Sequence, residues 1–330
     1  MSKVAFVFSG QGSQYVGMGE ELYFFHQEAR QVFKDTDKVL GYSLSKLCFN
    51  GPQADLNRTE NTQPAILAVS LAAYQVLKAN GVFPDLVAGF SLGEYSALVC
   101  SEVLAYGEAV KLVRKRGLFM EEAFPEGQGG MAAVLGLETA QVERACQSVD
   151  GIVSIANYNC PGQIVISGEK EALEEASAKL LEFGAKRIIP LKVSGPFHTP
   201  LMQPAAVKLK AELTFLKFQE PKFPLLSNVT ADYIENVTEL KELLIRQVKS
   251  PVLWEMIIRK MLSEGVDTFV EIGPGSTLRG FIKKINRNVT LLNVEDERSL
   301  NKTLQHLIRL QGTQKKKAEE MYVKRENSAS

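Results

Sequence analysis

The segment Leu86-Val-Ala-Gly-Phe-Ser-Leu-Gly-Glu-Tyr-Ser-Ala-Leu98 joins a short apolar run directly to a sequence of good helix formers. The run from Leu86 to Phe90 is typical of a strand buried in a parallel sheet, and the residues after Ser91 predict a helix. Gly89 and Gly93 flank the junction, where a β-carbon would crowd the strand and the helix. The segment therefore predicts a strand, a sharp turn and a helix, with the Ser91 hydroxyl pushed outward.

Buried strands and helices also alternate on either side of this segment. Val4 to Phe8 is an apolar run that stops at a glycine loop, and Ala65 to Asn80 predicts a buried helix. Beyond Pro200 we expect helices near 202–216, 238–248 and 253–264 and a strand over 268–272. The chain is therefore predicted to be an α/β protein with a discontinuous larger domain.

Between these parts the pattern changes to the order βαββαβ, the split arrangement of ferredoxin-like domains. The predicted elements are 131–135, 138–149, 152–158, 163–167, 169–183 and 187–193. Glycine-rich and proline-rich stretches bracket the segment, so we interpret it as an insertion. The expected division is 1–127 with 197–312 as one domain, 128–196 as the inserted domain and 313–330 as a flexible tail.

Composition and charge exclude several classes of function. Lys plus Arg and Asp plus Glu each number 38, and this balance disfavours wholesale binding of nucleic acid. The cysteines at 48, 100, 146 and 160 form no CxxC pair, so we expect reduced core residues and no metal site. The first apolar run is too short for a signal peptide or a membrane span, which favours a soluble, cytoplasmic protein.

Gly89 to Gly93 matches GxSxG at a strand-to-helix junction, the context of a nucleophile elbow. The helix that begins there aims free N–H groups at a bound group, so the Leu92 amide is a candidate donor to an oxyanion. The structural alternative is that Ser91 only caps the helix beside a glycine turn. The junction favours the catalytic interpretation.

A serine nucleophile needs a base beside it, and the chain has three histidines. His198 lies between Pro196 and Pro200, in a segment that cannot be regular helix or strand, and loops commonly carry catalytic groups. We therefore favour His198 as general base over a turn histidine, and structural roles for His26 and His306. No triad acid shows the expected spacing, so a backbone carbonyl is a candidate to orient the ring.

Arg116 falls on the apolar stripe of a predicted helix, whereas Arg114 and Lys115 do not. The stripe consists of Ala109, Leu112, Val113, Met120 and Ala123. A buried guanidinium needs an anionic partner, which is either an internal Asp or Glu or the carboxylate of a substrate. From the residues alone, the internal ion pair is favoured.

The loop Gly10-Gln-Gly-Ser-Gln14 follows the first strand at its carboxyl end, where open α/β sheets bind ligands. Its spacing fits neither a dinucleotide loop nor a P-loop. Its glycines would let the Gln11 backbone approach a reacting carbonyl as a second oxyanion donor. Taken alone, the motif is more typical of a glycine turn that starts a helix.

Seven segments share their order and spacing with one known family. They are Gly10-Gln-Gly-Ser-Gln14, Asn61-Thr-Gln-Pro-Ala65, Gly89-Phe-Ser-Leu-Gly-Glu-Tyr-Ser-Ala97, Arg116-Gly117, Asn159-Cys-Pro-Gly-Gln-Ile-Val-Ile-Ser-Gly168, Gly195-Pro-Phe-His198 and Glu271-Ile-Gly-Pro-Gly275. Together they closely resemble the malonyl-CoA:acyl carrier protein transacylases, the acyltransferases of fatty acid and polyketide synthesis. The resemblance covers residues 3–310.

The resemblance implies an α/β-hydrolase-like large domain, an inserted ferredoxin-like domain and an active site in the gorge between them. It implies that Ser91 is the acylated nucleophile, that His198 is its base, and that the amides of Gln11 and Leu92 form the oxyanion hole. By the same resemblance Arg116 binds the malonyl carboxylate, which reverses the preference for an internal pair. The remaining implied roles are orientation of the histidine by the Gln247 carbonyl and a substrate-binding set of Gln63, Phe197 and Gln247.

The implied reaction is a ping-pong transfer from malonyl-CoA to an acyl carrier protein by a monomer without metal or cofactor. The alternatives are an acyl hydrolase of carrier-bound thioesters and a non-catalytic protein that docks the carrier. Phe90 stands where the family usually has His, while the Phe197-His198 pair resembles the version selective for malonyl over methylmalonyl. An acidic carrier implies a basic rim, for which Lys283, Lys284 and Arg287 are candidates or an ordinary solvated helix face.

Overall fold

The structure, a computed structural model, describes residues 2–310. The strands are β1 (Lys3–Phe8), β2 (Leu86–Gly89), β3 (Gly129–Leu135), β4 (Val153–Cys160), β5 (Gln163–Glu169), β6 (Arg187–Pro190), β7 (Val266–Ile272) and β8 (Thr290–Val294). They form two separate four-stranded sheets, one parallel and one antiparallel. The predicted tail at 313–330 lies outside the described residues.

Helices cover both sheets. They are α1 (Glu20–Phe25), α2 (Gln27–Leu40), α3 (Leu44–Asn50), α4 (Gln53–Leu56), α5 (Thr59–Ala79), α6 (Gly93–Cys100), α7 (Tyr106–Glu122), α8 (Thr139–Gln147), α9 (Lys170–Glu182), α10 (Gln203–Phe215), α11 (Val237–Gln247), α12 (Trp254–Ser263) and α13 (Thr277–Ile285). Residues 297–310 are also helical. Within residues 2–310, no helix is both long and apolar enough to cross a bilayer.

The parallel sheet has the strand order β2-β1-β7-β8 and is buried on both faces. Phe6 and Phe8 of β1 pack into the same core as helices α5, α6 and α7, whereas Ala5 and Val7 pack on the opposite face with α12 and α13. This two-sided burial explains why β1 is apolar at every position from Val4 to Phe8 rather than at every second one. The carboxyl ends of β1 and β2 therefore lie side by side, with their following loops on one edge.

The antiparallel sheet has the order β4-β5-β3-β6, with α8 and α9 on one face. Its other face carries Met131, Ala133, Ala156 and Val165, which join the core of the larger sheet. The chain enters this unit after α7 and leaves it before α10, as the βαββαβ pattern predicts. β6 ends at Pro190, earlier than expected, although the Leu191 N–H still donates to the Met131 carbonyl of β3 at 2.9 Å.

Helix α5 begins at Thr59, earlier than the expected start at Ala65. The backbone N–H of Thr59 donates to the Glu121 carboxylate at 2.6 Å, which satisfies one of the free amides of the first turn. Pro64 lies inside the helix near its start, where it removes a single hydrogen bond. The helix is buried along most of its length and packs against α2 and α7.

Candidate active site

Ser91 lies on a sharp turn between β2 and α6 with a φ of 51°. A β-carbon at Gly89 would lie 1.9 Å from the backbone of Gly93, and one at Gly93 would lie 2.2 Å from the Phe8 carbonyl oxygen. Both distances are far below van der Waals contact, so the turn closes this tightly only with glycine at both positions. This is the geometry of a nucleophile elbow.

Asn228 braces the same turn from a distant part of the chain. Its Oδ1 accepts from the Ser91 backbone N–H at 2.7 Å, and its Nδ2 donates to the Gly89 carbonyl at 2.7 Å. The side chain is fully buried. These two bonds offset the strain of a non-glycine residue at positive φ.

His198 is the hydrogen-bond partner of the Ser91 hydroxyl, with 2.8 Å between Oγ and Nε2. The other ring nitrogen, Nδ1, lies 2.9 Å from the Gln247 carbonyl oxygen and 3.2 Å from that of Ser250. Because both partners are acceptors, Nδ1 carries the proton and Nε2 is left to accept the serine proton. Two backbone carbonyls thus take the place of a triad acid.

Burial and the positive charge of the neighbouring Arg116 together lower the pKa of His198 to about 4, against the effect of the two carbonyls. The ring is therefore neutral at physiological pH and is able to act as a base. His26 is not near this site; its Nε2 lies 2.7 Å from Glu297 and links α2 to the 297–310 helix. His306 lies in that same helix.

Arg116 is 1% exposed and lies beneath Ser91. Its Nη1 donates to Gln63 Oε1 at 2.9 Å, and its Nη2 donates to Gln247 Oε1 at 2.9 Å and to Ser91 Oγ at 3.3 Å. No carboxylate of residues 2–310 forms an ion pair with it, so the internal pair favoured by the residues alone is wrong. The guanidinium is held by neutral amides and keeps its charge unpaired.

The glycine loop after β1 packs directly on the elbow. A β-carbon at Gly10 would lie 2.4 Å from the Phe90 carbonyl oxygen, so the loop and the turn touch backbone to backbone. Gln11 lines the same cavity as Ser91, and its Nε2 donates to Thr59 Oγ1 at 3.3 Å. The backbone N–H groups of Gln11 and Leu92 donate to no other atom of residues 2–310, which leaves both available to a ligand.

A cavity of about 560 Å³ lies between the two sheets, with Ser91 and His198 in its wall. The antiparallel sheet contributes Met131, Ala133, Asn157, Asn159 and Val165, and α13 contributes Leu278 and Phe281. Phe197 lines it beside His198, and Phe90 lines it while packing edge-on against Trp254. The aromatic side chain of Phe90 thus makes this part of the cavity wall apolar.

Gln63 and Arg116 lie directly behind this wall. Met120 lines the cavity, and its Sδ lies 3.4 Å from Gln63 Nε2. The Nε of Arg116 is buried and has no hydrogen-bond partner among the described residues. The guanidinium nitrogen nearest to an acyl group on Ser91 is Nη2, which lies 3.3 Å from Ser91 Oγ.

Three groups of the site are not predicted from the sequence, namely the Glu94 carboxyl, the Asn228 side chain and the Ser250 carbonyl. Glu94 follows the elbow in the quoted motif, yet nothing in the local pattern shows that a carboxylate there is buried. Asn228 and Ser250 lie in loops without a motif and meet the site only through tertiary contacts. Among the basic residues considered for a rim, Lys284 donates to Gln163 on the cavity wall at 2.9 Å.

The four cysteines are buried and unbonded, and within residues 2–310 no cluster of three or more His, Cys, Asp or Glu side chains is arranged to hold a metal. The site consists of a serine on an elbow, an imidazole that accepts its proton and a cavity beside them. That arrangement is typical of enzymes that transfer acyl groups through a serine ester. The chain belongs to the acyl transferase domain family, whose model matches residues 5–319.

Relatives within this family are highly similar over nearly the whole chain. A malonyl CoA-acyl carrier protein transacylase of Bacillus subtilis is 47% identical over 310 residues, which cover 93% of this chain and 98% of the relative. The crystal structure of a transacylase of the same name from Clostridium perfringens is 48% identical, with a TM-score of 0.91, and covers 95% of this chain and 100% of that one.

A second similar structure shows a malonyl-transacylase in complex with a type II PKS acyl-carrier protein. It is 43% identical to this chain with a TM-score of 0.91, and the match covers 92% of this chain and 100% of that one. The mixed α/β fold described above is thus the fold of these solved transacylases.

Proposed function

We propose that this protein transfers the malonyl group of malonyl-CoA to the phosphopantetheine thiol of an acyl carrier protein through a malonyl ester of Ser91. One observation carries the proposal: Ser91 Oγ lies 2.8 Å from the base nitrogen of His198 and 3.3 Å from Nη2 of the buried Arg116. A nucleophile in reach of both a base and an unpaired cation suits an acyl group with a free carboxylate.

In the first half of the reaction, Ser91 Oγ attacks the thioester carbonyl while His198 Nε2 accepts the hydroxyl proton. The negative charge of the tetrahedral intermediate falls on the carbonyl oxygen, where the amides of Gln11 and Leu92 donate to it. The carbon–sulfur bond then breaks and the CoA sulfur takes the proton from His198. The carrier thiol attacks the serine ester by the same steps in reverse.

Arg116 supplies the discrimination between acyl groups. A malonyl carboxylate satisfies the guanidinium charge, whereas an acetyl group leaves it unpaired in a buried site. Gln63 and Gln247 hold the guanidinium in place with neutral acceptors, so they do not compete with the substrate for its charge. Phe197 narrows the cavity beside His198, in keeping with a preference for malonyl over methylmalonyl.

The domain arrangement belongs to the same proposal. We assign residues 1–127 and 197–312 to an α/β-hydrolase-like domain and residues 128–196 to an inserted ferredoxin-like domain. The parallel order β2-β1-β7-β8 with the elbow after β2 supports the first assignment, and the antiparallel order β4-β5-β3-β6 with two helices on one face supports the second. The cavity between them is then the gorge that receives both substrates.

The test is to incubate the purified protein with labelled malonyl-CoA, with and without a phosphopantetheinylated carrier protein. The proposal expects label on the carrier and little free malonate. Free malonate as the main product would instead identify an acyl hydrolase, and no turnover of either kind would identify a docking protein. A cofactor-free reaction, a monomeric state and a cytoplasmic location stay predictions.

A further inference from the structure

We propose that Glu94 is a positioning residue for acyl selectivity: its carboxyl fixes the side-chain amide of Gln247, and that amide holds Arg116 in place for a substrate carboxylate. This inference rests on the function proposed above, because it concerns the cation that would bind the malonyl carboxylate. The Glu94 side chain forms no hydrogen bond with Ser91, His198 or Arg116, so its link to the guanidinium runs through Gln247.

Gln247 forms hydrogen bonds with four residues of the site. Its backbone carbonyl accepts from the His198 ring at 2.9 Å, and its Oε1 accepts from Arg116 Nη2 at 2.9 Å. Its Nε2 donates to the Ser91 carbonyl at 2.9 Å and to Glu94 Oε2 at 2.6 Å. Its position in the last turn of α11 sets the first contact, whereas the orientation of its side chain sets the other three.

Only one orientation of this amide satisfies its neighbours. On one side stand two acceptors, the Ser91 carbonyl and Glu94 Oε2, and on the other stands a donor, Arg116 Nη2. A flipped amide would set its oxygen against both acceptors and its NH2 against the guanidinium. The Ser91 carbonyl alone would favour the observed orientation by one hydrogen bond, and Glu94 adds the shorter second one.

Glu94 is itself fully buried at the start of α6. Its Oε2 also accepts from the Asn228 backbone N–H at 3.3 Å, while its Oε1 has no partner among the described residues. Burial raises the pKa of Glu94 to about 7, against the hydrogen bonds from Gln247 and Asn228 and the charge of Arg116. A proton taken up near neutral pH can reside on the unpartnered Oε1, so Oε2 remains an acceptor in both states.

The arrangement also explains why Arg116 is free for a ligand. A carboxylate in direct contact with the guanidinium would occupy the same donors as a malonyl carboxylate. With the Gln247 amide in between, Arg116 meets a neutral acceptor, and the Glu94 carboxyl lies one side chain further away. The acceptor function of Glu94, rather than its full charge, is therefore what the site requires.

Two substitutions of similar size separate these properties. Glu94→Gln keeps a carbonyl acceptor but removes the charge, and Glu94→Met removes the acceptor as well. We expect Glu94→Met to raise the KM for malonyl-CoA about tenfold, the scale of coupling within one buried hydrogen-bond network. Acetyl transfer, which does not use Arg116, should change by less than about threefold, and Glu94→Gln should stay within about threefold of wild type for both donors.

The proposal is overturned if Glu94→Met leaves the malonyl-to-acetyl ratio unchanged, or if Glu94→Gln lowers it as much. Gln247→Met removes the side-chain amide itself and must reproduce the loss of selectivity. This variant tests the proposal even if no Glu94 variant folds. An unchanged malonyl-to-acetyl ratio in Gln247→Met also overturns the proposal. The wild-type protein separates a failure of this inference from a failure of the proposed function. If the wild type transfers no malonyl group, the proposed function is wrong, whatever the role of Glu94.

Glu271→Met is the matched control for loss of a buried carboxyl. Glu271 is 1% exposed, accepts from the Leu278 and Arg279 amides, and has a pKa that burial raises to about 7. Glu271 lines the same cavity as Ser91 but forms no hydrogen bond with Gln247 or Arg116. Its loss should lower stability and affect both acyl donors alike, so a shift of the ratio in this variant would mean that the effect of Glu94 is general and would overturn the proposal.

Discussion

The side chains of Ser91 and His198 lie 2.8 Å apart, and both residues have left-handed backbone conformations, with φ of 51° and 62°. Such values are costly for residues other than glycine and persist only where the surroundings enforce them. The Asn228 bonds enforce the first, and the bond from the His198 amide to the Val248 carbonyl at 3.2 Å helps enforce the second. Two strained turns thus bring the nucleophile and its base together.

Replacement of the nucleophile tests this pairing. Ser91→Ala should reduce malonyl transfer by about a thousandfold or more, because no other hydroxyl of residues 2–310 forms a hydrogen bond with the His198 ring. The matched control is Ser96→Ala, since Ser96 is a buried serine of α6, the helix after the elbow, and its hydroxyl has no hydrogen-bond partner among the described residues. Steady-state transfer to a carrier protein measures both, and comparable losses in the two variants would contradict the role of Ser91.

Arg116→Ala should lower malonyl transfer and raise acetyl transfer relative to it. Loss of charge-assisted hydrogen bonds worth about 1.5–3 kcal/mol should reduce the malonyl-to-acetyl ratio by about 10- to 100-fold. Lys115→Ala is the control, because the neighbouring Lys115 points outward and pairs with Glu212 at the surface. Competition between the two acyl-CoA donors gives the ratio directly, and an unchanged ratio in Arg116→Ala would show that the cation does not select the acyl group.

The protonation of His198 predicts an unusually acidic limit to activity. Burial and the charge of Arg116 lower its pKa to about 4, from an ordinary value of about 6.5. A histidine with a lowered pKa keeps its neutral, basic form above that value and loses it as the pH falls through it. The rate of Ser91 acylation by malonyl-CoA should therefore persist at pH 5.5–6 and decline only near about pH 4.

Single-turnover acylation without carrier protein is the suitable measurement, since it isolates the first half-reaction. A midpoint of the acidic limb at about pH 6.5 would mean that the ring titrates as an exposed histidine does. The buried geometry at Ser91 would then not describe the reacting enzyme.

The tight turn predicts a contrast between two glycines. Gly89→Ala sets a β-carbon 1.9 Å from the Gly93 backbone and should destabilise the protein by about 3 kcal/mol or more, with loss of activity. Gly280 lies within α13, where an added β-carbon meets nothing within 4 Å, so Gly280→Ala should stabilise by about 0.5–1 kcal/mol. Urea denaturation measures both, and equal effects would contradict the packing described for the elbow.

The brace at Asn228 predicts a loss of rate rather than of binding. Asn228→Ala leaves the Ser91 amide and the Gly89 carbonyl without their buried partners, at a cost of about 1–3 kcal/mol. Relaxation of the turn should lower kcat while leaving the KM for malonyl-CoA within about threefold. The lost side-chain bonds reach only Ser91 and Gly89, and the backbone bond from Asn228 to Glu94 survives the substitution. A rise in KM at constant kcat would show that the turn does not depend on this brace.

Much of the fold follows from local patterns in the sequence. The apolar runs of β1 and β2, the GxSxG turn and the order of the six elements between 129 and 190 all appear where the periodicity predicts them. These features are predictable because each depends on residues within a few positions of one another. The start of α5 at Thr59 has no such local signal, because its first amide is capped by Glu121, which is 62 residues away.

The candidate site divides in the same way. Ser91, His198 and Arg116 each carry a local signal, namely a motif, a proline-flanked loop and a phase on a helix. Their partners do not: Asn228 is 137 residues from Ser91, and Gln247 is 153 residues from Glu94. Neutral amides, rather than a carboxylate, hold Arg116. This arrangement depends on the packing of the core, and no local pattern in the sequence predicts it.

The most direct measurement is mass spectrometry of the protein after brief incubation with malonyl-CoA, followed by a chase with phosphopantetheinylated carrier protein. The proposed chemistry predicts one malonyl adduct, on the peptide that contains Ser91, which disappears as the malonyl-carrier product forms. An adduct on another residue, or an adduct that decays to free malonate while the carrier stays unmodified, would contradict it.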